Sequence, residues 1–280
     1  MEHILIVDGS NLLFQMFYGM PARIINRDGR PIQGTLGFVG ALLKIIRIVQ
    51  PSHVAVVFDG ECANARAELD AAYKANREDF SLLPAEDTPF SQLPDIYAAL
   101  DHLGICHRET ENCEADDWIA GFVFRYGTQC RVTVASQDSD FFQLITDRVK
   151  ILRYRGDKTL LCDPAYIRET LGIEPAQYAD FKSMTGDTAD NIRGVEKIGP
   201  KTAAQLLGQF GTLDAILTGT AQIRKPSIRA TLEKYGERAR LNRLLIRLEG
   251  ATELPFTLEQ MAWAYHGQTS TEVLKAIGVR

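Results

Sequence analysis

Short aliphatic runs alternate with longer amphipathic stretches along the first two thirds of the chain. Three of the short runs occupy residues 4–7, 54–58 and 132–135. Runs rich in β-branched residues are typical of strands covered on both faces, and such strands are parallel. The stretches at 11–18, 35–49 and 96–103, and another that starts at Glu114, are predicted to be helices that cover the sheet. The pattern therefore predicts an α/β fold with a parallel sheet.

The remaining pattern adds turns and one polar excursion. Residues 26–31 are predicted to form a turn, and residues 149–161 a hairpin that turns at Gly156 and Asp157. Residues 61–94 are polar, contain Pro84, Pro89 and Pro94, and are expected to lie outside the core. A helix is predicted to start at Asp163, and another to cover residues 202–210 after a glycine-rich turn.

Three aspartates mark the ends of the predicted strands. Asp8 and Asp59 come directly after apolar runs, and Asp138 follows the third run closely. Because open parallel sheets bind ligands beyond the carboxyl ends of their strands, we expect these aspartates to converge on one edge. They belong to a set of nine carboxylates in four groups: Asp8; Asp59; Glu114, Asp116, Asp117, Asp138 and Asp140; Asp187 and Asp190.

Crowded carboxylates predict a site for metal ions. Each would be driven toward protonation unless cations lay between them, and hard divalent ions with oxygen ligands fit best. We expect two or more Mg²⁺ or Mn²⁺ ions, a pair of which can support in-line cleavage of a phosphodiester. The alternative is that the aspartates serve structure, as strand ends and helix caps.

The charge balance is compatible with a nucleic-acid partner. The 280-residue chain has a formal charge of −5, but without the nine carboxylates it has 27 acids against 31 bases. Residues 196–247 hold ten Lys or Arg and four acids, so this segment could bind a phosphate backbone or could simply be a solvated face. No apolar stretch reaches membrane-spanning length, and the five cysteines lack metal-site spacing. We expect a cytoplasmic protein without a membrane segment.

A glycine-rich turn at residues 194–203 precedes a predicted helix. Backbone N–H groups at such a helix start, with Lys201 beside them, can bind a phosphate without reading its base. The turn lies four residues after Asp190, so it would connect a DNA anchor to the metal site.

These motifs together resemble a known family. The chain is similar to the 5′ nuclease domain of bacterial DNA polymerase I and to the related stand-alone flap endonucleases. The resemblance covers nearly the whole chain and rests on residues 7–9, 57–59, 73–77, 114–117, 138–144, 186–191 and 194–202. It implies a PIN-like nuclease domain in residues 1–180 with a helical arch at about 61–94. It also implies a helix-three-turn-helix DNA-binding module and C-terminal helices in residues 181–280.

The resemblance also implies roles for particular residues. The first metal site would comprise Asp8, Asp59, Glu114, Asp116 and Asp138, with Asp117 close by, and the second Asp140, Asp187 and Asp190. Lys74 and Arg77 match basic residues that contact the scissile phosphate, and Arg66 is expected to be an arch or phosphate contact. Phe17 or Tyr18 would stack on the terminal base or else pack as core aromatics. The expected DNA contacts of the module are Arg193, Gly194, Lys197, Gly199, Lys201 and Thr202, with a potassium ion on the backbone of Val195 and Ile198.

Three positions depart from the family pattern. Gln15 stands where an arginine is common, Ser139 replaces the usual lysine between paired aspartates, and Arg193 replaces a proline. The first two changes remove cations near the expected substrate path and the third adds one. All nine acidic positions are intact.

The sequence therefore predicts a metal-dependent 5′–3′ exonuclease and flap endonuclease. Its expected substrates are 5′ flaps, nicks and RNA primer remnants, with a DNA polymerase as a partner and the enzyme acting as a monomer. The length leaves no room for polymerase domains, so we expect an independent protein or an N-terminal fragment. The alternatives are a branched-DNA-binding protein with little hydrolysis and a PIN-type ribonuclease, the latter disfavoured by the glycine-rich turn.

Overall fold

The structure is a computed structural model that describes residues 1–27, 29–60, 65–251 and 253–279. Four residues of the predicted polar excursion, 61–64, lie outside the described residues, and Cys62 is among them. Asp28 of the predicted turn and Arg280 at the end of the chain lie outside them as well.

A six-stranded sheet forms the centre of the fold. Its strands are β1 His3–Asp8, β2 His53–Phe58, β3 Cys106–Glu109, β4 Arg131–Ala135, β5 Val149–Arg153 and β6 Leu160–Cys162. Their order is β3-β2-β1-β4-β5-β6; all neighbours are parallel except β5 and β6, which form the predicted hairpin. Since β1 pairs with both β2 and β4, the carboxyl ends of these three strands lie side by side. The prediction of a parallel sheet is confirmed.

Helices cover both faces of this sheet. They are α1 Gly9–Gly19, α2 Gln33–Val49, α3 Ala65–Leu69, α4 Leu93–Leu103, α5 Ala115–Tyr126, α6 Pro164–Leu171, α7 Tyr178–Thr185, α8 Pro200–Phe210, α9 Leu213–Thr218, α10 Pro226–Ile246 and α11 Ser270–Ala276. Successive β1 residues alternate between two cores: Ile4 and Ile6 face α5, whereas Leu5 and Val7 face α2. This two-sided burial explains why the strands are apolar at every position.

The segment between β2 and α4 contains little helix among its described residues. Its described part holds the five-residue α3 and the 3₁₀ turns Phe80–Leu82, Ala85–Asp87 and Pro89–Gln92. Pro84 and Pro89 limit helix formation in the segment, because proline removes a backbone donor and cannot continue a helix, whereas Pro94 lies in the first turn of α4, where proline is tolerated. Part of this segment, which was expected to lie outside the core, packs against the fold, since Tyr73 is buried and the rings of Phe80 and Phe90 pack against Phe14.

The C-terminal part packs on the sheet through the same core. It contains α7, the short antiparallel pair β7 Gly186–Asp187 and β8 Ile192–Arg193, and then α8 to α11. One buried cluster joins Ile6 of β1 with Ile228 and Leu232 of α10. Residues after α10 return to the edge of β2, where the Val54 N–H donates to the Met261 carbonyl at 2.9 Å. Among the described residues, no helix is long and apolar enough to cross a membrane.

Candidate functional site

A cavity of about 630 Å³ opens at the carboxyl ends of β1, β2 and β4. Five of the predicted acidic residues line it, and the cations on its wall are Lys74 and Arg77. The acidic residues are Asp8, Asp59, Glu114, Asp116 and Asp138; the rest of the wall is Ser10, Asn11, Phe14, Gly60, Glu78, Phe80 and Phe90. The structure therefore brings together residues that lie up to 130 positions apart in the sequence.

Asp8 occupies the junction between β1 and α1. Its carboxylate caps the helix by accepting from the Asn11 N–H at 3.0 Å, and it also accepts from the Ser136 hydroxyl at 2.8 Å. The next residue must be Gly9, because a Cβ there would lie 2.5 Å from the ring of Phe58. The strand-to-helix turn thus fixes Asp8 at the floor of the cavity.

Asp59 and Asp138 are fixed by the same kind of local hydrogen bond. Asp59 accepts from the Ala115 N–H at 2.9 Å, which places it at the start of α5 beside Asp116. Asp138 accepts from the Asp140 N–H at 2.8 Å in the loop that follows β4. Backbone donors therefore hold these carboxylates toward one another despite their like charges.

Burial and mutual repulsion raise the pKa values of the central carboxylates. Burial, together with Asp59, raises the pKa of Asp8 to about 7. The pKa of Asp116 is raised well above its ordinary value by burial and by the charges of Asp138 and Asp8. Burial and the Asp138 charge do the same for Asp140, whose buried Oδ1 has no hydrogen-bond partner. This arrangement favours the binding of external cations.

Glu114 and Asp117 are instead neutralised by cations from residues 66–74. Lys74 Nζ lies 2.6 Å from Glu114 Oε1, and Arg66 forms ion pairs with both Glu114 and Asp117. Although burial acts in the opposite direction, Lys74 and Arg66 lower the pKa of Glu114. Arg66 therefore faces carboxylates in this structure rather than an open DNA surface.

The second predicted group of acids also contacts protein cations. Asp187 forms an ion pair with Lys182 of α7, and Arg77 Nη2 lies 3.1 Å from Asp190 Oδ1. The charges of Asp187 and Asp190 add to the burial that raises the pKa of Asp140, so the three are close. Lys182 was missed from the sequence, because Asp187 lies beyond the end of α7 and no local pattern specifies the pairing.

In the part of the chain that the structure describes, no three acidic, histidine or cysteine side chains are already arranged around a common point as metal ligands. Three of the carboxylates contact protein cations instead: Glu114 contacts Lys74, Asp187 contacts Lys182, and Asp190 contacts Arg77.

The segment that carries Lys74 is anchored to the loop between β7 and β8. The Lys74 N–H donates to the Asp190 carbonyl at 3.0 Å, and Asn191 Nδ2 donates to the Ala72 carbonyl at 2.8 Å. Asn76 Nδ2 makes a similar bond to the Thr188 carbonyl at 3.1 Å. These bonds hold both cations of the cavity wall next to the second group of acids.

Only one of the aromatic residues on α1 lines the cavity, and the stacking of Phe17 or Tyr18 on a terminal base stays a prediction. Tyr18 is exposed and Phe17 is half-buried against it, with ring centroids 5.1 Å apart, but neither lines the cavity. Phe14 does line it, in edge-to-face contact with Phe80 and Phe90. The signal for Phe14 was its spacing of three residues from Asn11, which places both on one face of the helix.

Most of the side chains predicted to contact DNA at residues 193–202 are exposed to solvent. Arg193, Lys197 and Lys201 are exposed, Gly199 precedes α8, and Thr202 is half-buried in its first turn. Val195 and Ile198 are buried, and the Ile198 N–H donates to the Val195 carbonyl at 3.1 Å. Glycine is required at position 194 for a structural reason as well, since a Cβ there would lie 2.4 Å from the carbonyl carbon of Thr185.

Several cations of the basic segment 196–247 are engaged in ion pairs. Arg238 Nη1 lies 2.6 Å from Asp70 Oδ2, and Arg243 Nη1 lies 2.8 Å from Asp214 Oδ2. Arg240 pairs with Glu237 on the same helix. Arg238 and Arg243 of α10 are therefore already paired within the fold, whereas among the described residues Arg193 and Lys201 form no ion pair and Lys197 Nζ lies 3.8 Å from Glu196 Oε1.

Comparison with protein families places residues 3–269 in one family. Residues 3–172 match the N-terminal resolvase-like domain of the 5′-3′ exonuclease family, and residues 173–269 match its C-terminal SAM fold. DNA polymerase I of Rhizobium leguminosarum is 35% identical over 98% of this chain, and the thermostable DNA polymerase I of Thermus aquaticus is 34% identical over 91%. The chain spans 27% and 29% of the length of these two relatives.

Solved structures show the same fold. The T5 5′-exonuclease with bound zinc matches with a TM-score of 0.72 at 23% identity, covering 88% of this chain and 90% of that one. The catalytic core of Rad2 in complex with a DNA substrate matches with a TM-score of 0.61 at 15% identity, covering 99% and 93%. The predicted fold class is thereby confirmed. The chain belongs to the 5′-3′ exonuclease family.

Proposed function

We propose that this protein is a metal-dependent 5′–3′ exonuclease and flap endonuclease that hydrolyses phosphodiester bonds in DNA. The observation that carries the proposal is the cavity at the carboxyl edge of the sheet, where Lys74 and Arg77 face five carboxylates. Oxygen donors that could hold metal ions and cations that could bind a phosphate therefore line the same cavity. The proposed substrates are 5′ flaps, nicks and RNA primer remnants at duplex junctions.

The donor set fits two divalent cations. The proposed first site consists of Asp8, Asp59, Glu114, Asp116 and Asp138, with Asp117 nearby, and the second of Asp140, Asp187 and Asp190. All are hard oxygen donors, which Mg²⁺ and Mn²⁺ prefer. The buried Oδ1 of Asp140, which has no hydrogen-bond partner, would be satisfied by such an ion. When bound, such ions supply an activated water and neutralise charge on the phosphate.

The chain itself supplies phosphate binding and orientation. Lys74 and Arg77 point at Glu114 and Asp190 in this structure, so they lie within reach of an anion that enters between the two acidic groups. We infer that they release these carboxylates to the metals and bind the scissile phosphate. Fixed cations at that position stabilise the negative charge that grows in the transition state.

The exposed turn at residues 193–202 is proposed to hold the duplex away from the cut. Its side chains Arg193, Lys197 and Lys201 and the N-terminus of α8 suit a phosphate backbone, and the carbonyls of Val195 and Ile198 are proposed to bind K⁺. Stacking of Phe17 or Tyr18 on a terminal base remains part of the proposal. A DNA polymerase partner, a monomeric state and a cytoplasmic location are proposed as well.

A labelled 5′-flap duplex, incubated with and without Mg²⁺, tests the function. We expect release of the flap with Mg²⁺ and none in EDTA, and no product with Asp138→Asn although that variant still binds the DNA. Tight binding without cleavage at any metal concentration would favour the DNA-binding alternative. Cleavage of a single-stranded RNA in preference to the flap would favour a ribonuclease.

A further inference from the structure

The turn between β5 and β6 presents unpaired cations at the same edge of the sheet as the acidic cavity. The last residue of β5 and the turn after it carry three cations, Arg153, Arg155 and Lys158, against the single acid Asp157. Arg155 is exposed, and among the described residues neither Arg153 nor Arg155 forms an ion pair with an acid. β5 lies beside β4, and the chain after β4 leads directly to Asp138.

Gln137 fixes this turn to the Asp138 loop. Arg155 Nε donates to Gln137 Oε1 at 2.8 Å, and Arg153 Nη2 donates to the Gln137 carbonyl at 3.0 Å. Gln137 Nε2 donates a hydrogen bond to the Tyr154 carbonyl at 2.8 Å. Every polar group of the Gln137 side chain is thus used to position the turn next to a proposed metal ligand.

Helix α1 completes the connection. The Gln137 N–H donates to Asn11 Oδ1 at 2.9 Å, and the Asn11 N–H donates to Asp8. Gln15 Nε2 donates to the Tyr154 carbonyl at 2.7 Å, so a neutral side chain at position 15 supports the turn. On this side of the cavity, the positive charge is therefore supplied by the hairpin and not by α1.

We propose that Arg155, oriented by Gln137, binds a backbone phosphate of the DNA strand on this side of the cavity. The bond to Gln137 uses Nε, and the two Nη nitrogens have no described protein partner, which leaves them for bidentate binding to phosphate oxygens. Such a contact adds affinity without reading sequence. This inference rests on the proposed function, and Gln137 acts in it as a positioning residue.

The test compares Arg155→Ala with Arg148→Ala. Arg148 is exposed and immediately precedes β5, so it lies at the opposite end of the same strand. Binding of a fluorescent 5′-flap duplex is measured by anisotropy in EDTA over a salt series. For Arg155→Ala we expect about tenfold weaker binding, as for one charge-assisted hydrogen-bonded contact, and a salt slope smaller by about one ion. Arg148→Ala should match the wild type.

Two further substitutions separate charge from structure. Arg155→Lys should restore the salt slope but only part of the affinity, since lysine lacks the planar fork. Arg155→Gln keeps a donor for Gln137 and removes the charge, so it reports on the contact even if Arg155→Ala does not fold. Thermal melts of each variant verify that it folds. The single-turnover cleavage rate of the Arg155 variants, measured at saturating enzyme, should stay within about threefold of the wild-type rate, since the contact adds binding rather than transition-state stabilisation.

Equal affinity and salt slope for Arg155→Gln and wild type would overturn the inference. A large loss of single-turnover rate with unchanged affinity would also overturn it, because Arg155 would then act on the Asp138 loop and not on the DNA. These outcomes differ from failure of the proposed function, which would appear as wild-type protein that binds the flap and never cleaves it with Mg²⁺.

Discussion

At the residue scale, Lys74 is the side chain that best separates catalysis from binding. It is only 11% exposed and pairs with Glu114. If it binds the scissile phosphate, Lys74→Ala should lower single-turnover cleavage roughly 10²–10³-fold, as removal of one preorganised donor does. DNA affinity should change only a few-fold. Lys44→Ala, on the exposed face of α2, is the control. A rate for Lys74→Ala close to that of the control would assign Lys74 to structure.

The pKa of Asp8 gives a second prediction at this scale. In the unfolded chain this carboxyl loses its proton near pH 4, whereas in the folded protein it keeps the proton up to about pH 7. The folded state therefore binds more protons between these values, and the free energy of unfolding falls as the pH rises through this window. Metal ions at the site should offset that loss.

Thermal unfolding in EDTA and in Mg²⁺ measures this effect. We expect the melting temperature in EDTA to be lower at pH 8 than at pH 5, and Mg²⁺ to raise it more at pH 8. Asp8→Asn should stabilise the metal-free protein at pH 8 and respond less to Mg²⁺. If Asp8→Asn and the wild type had the same melting temperature in EDTA at pH 8, the buried Asp8 carboxylate would not destabilise the metal-free protein, and the prediction would be contradicted.

At the scale of elements, the loop between β7 and β8 positions the cations of the cavity wall. Asn191 has a φ of 56° and donates to the Ala72 carbonyl. Asn191→Gly keeps the left-handed backbone accessible and removes only the side-chain bond. We expect single-turnover cleavage to fall about tenfold, as for one lost hydrogen bond in the transition state, with faster proteolysis of residues 70–77. Unchanged proteolysis together with unchanged cleavage would show that the bond does not hold the segment.

The turn that precedes α8 gives the other prediction for an element. Lys197→Ala with Lys201→Ala should weaken DNA binding equally across sequences and reduce its salt dependence, since both side chains are exposed beside a helix N-terminus. Binding is measured by anisotropy on two unrelated duplex sequences. Lys275→Ala on α11 serves as the control for a lost surface charge. A salt slope equal to that of the control would place the duplex elsewhere.

At the scale of the whole molecule, the continuous core predicts that the two family regions unfold together. Buried residues of β1 and α10 belong to one cluster, and the C-terminal segment pairs with β2. The protein has two tryptophans, Trp118 in the first region and Trp263 in the second. Trp118→Phe and Trp263→Phe each leave one fluorescent probe, and we expect both variants to show a single urea transition at similar midpoints. Two separated transitions would mean that the regions are independent.

Much of the candidate site followed from the sequence alone. Asp8, Asp59 and Asp138 were expected at one edge because strand composition identifies parallel strands, and parallel strands direct their carboxyl ends to the same side. The hairpin over 149–161, which the structure extends to Cys162, and the start of the helix at Asp163 followed from local turn and cap chemistry, which depends on neighbouring residues. The domain boundary at residue 180 stays a prediction.

Only the tertiary structure decided which partners these residues have. The pairing of Asp187 with Lys182, the aromatic contact of Phe14 with Phe80 and the bond from Arg155 to Gln137 have no local signature of their own. The last two join segments distant in sequence, and all three depend on which side-chain rotamers fit between packed elements. Local periodicity fixes which face of an element is buried, but the approach of two elements is set by the packing of the whole core. The sequence by itself therefore determined where the acids lie, and the fold determined which cations stand against them.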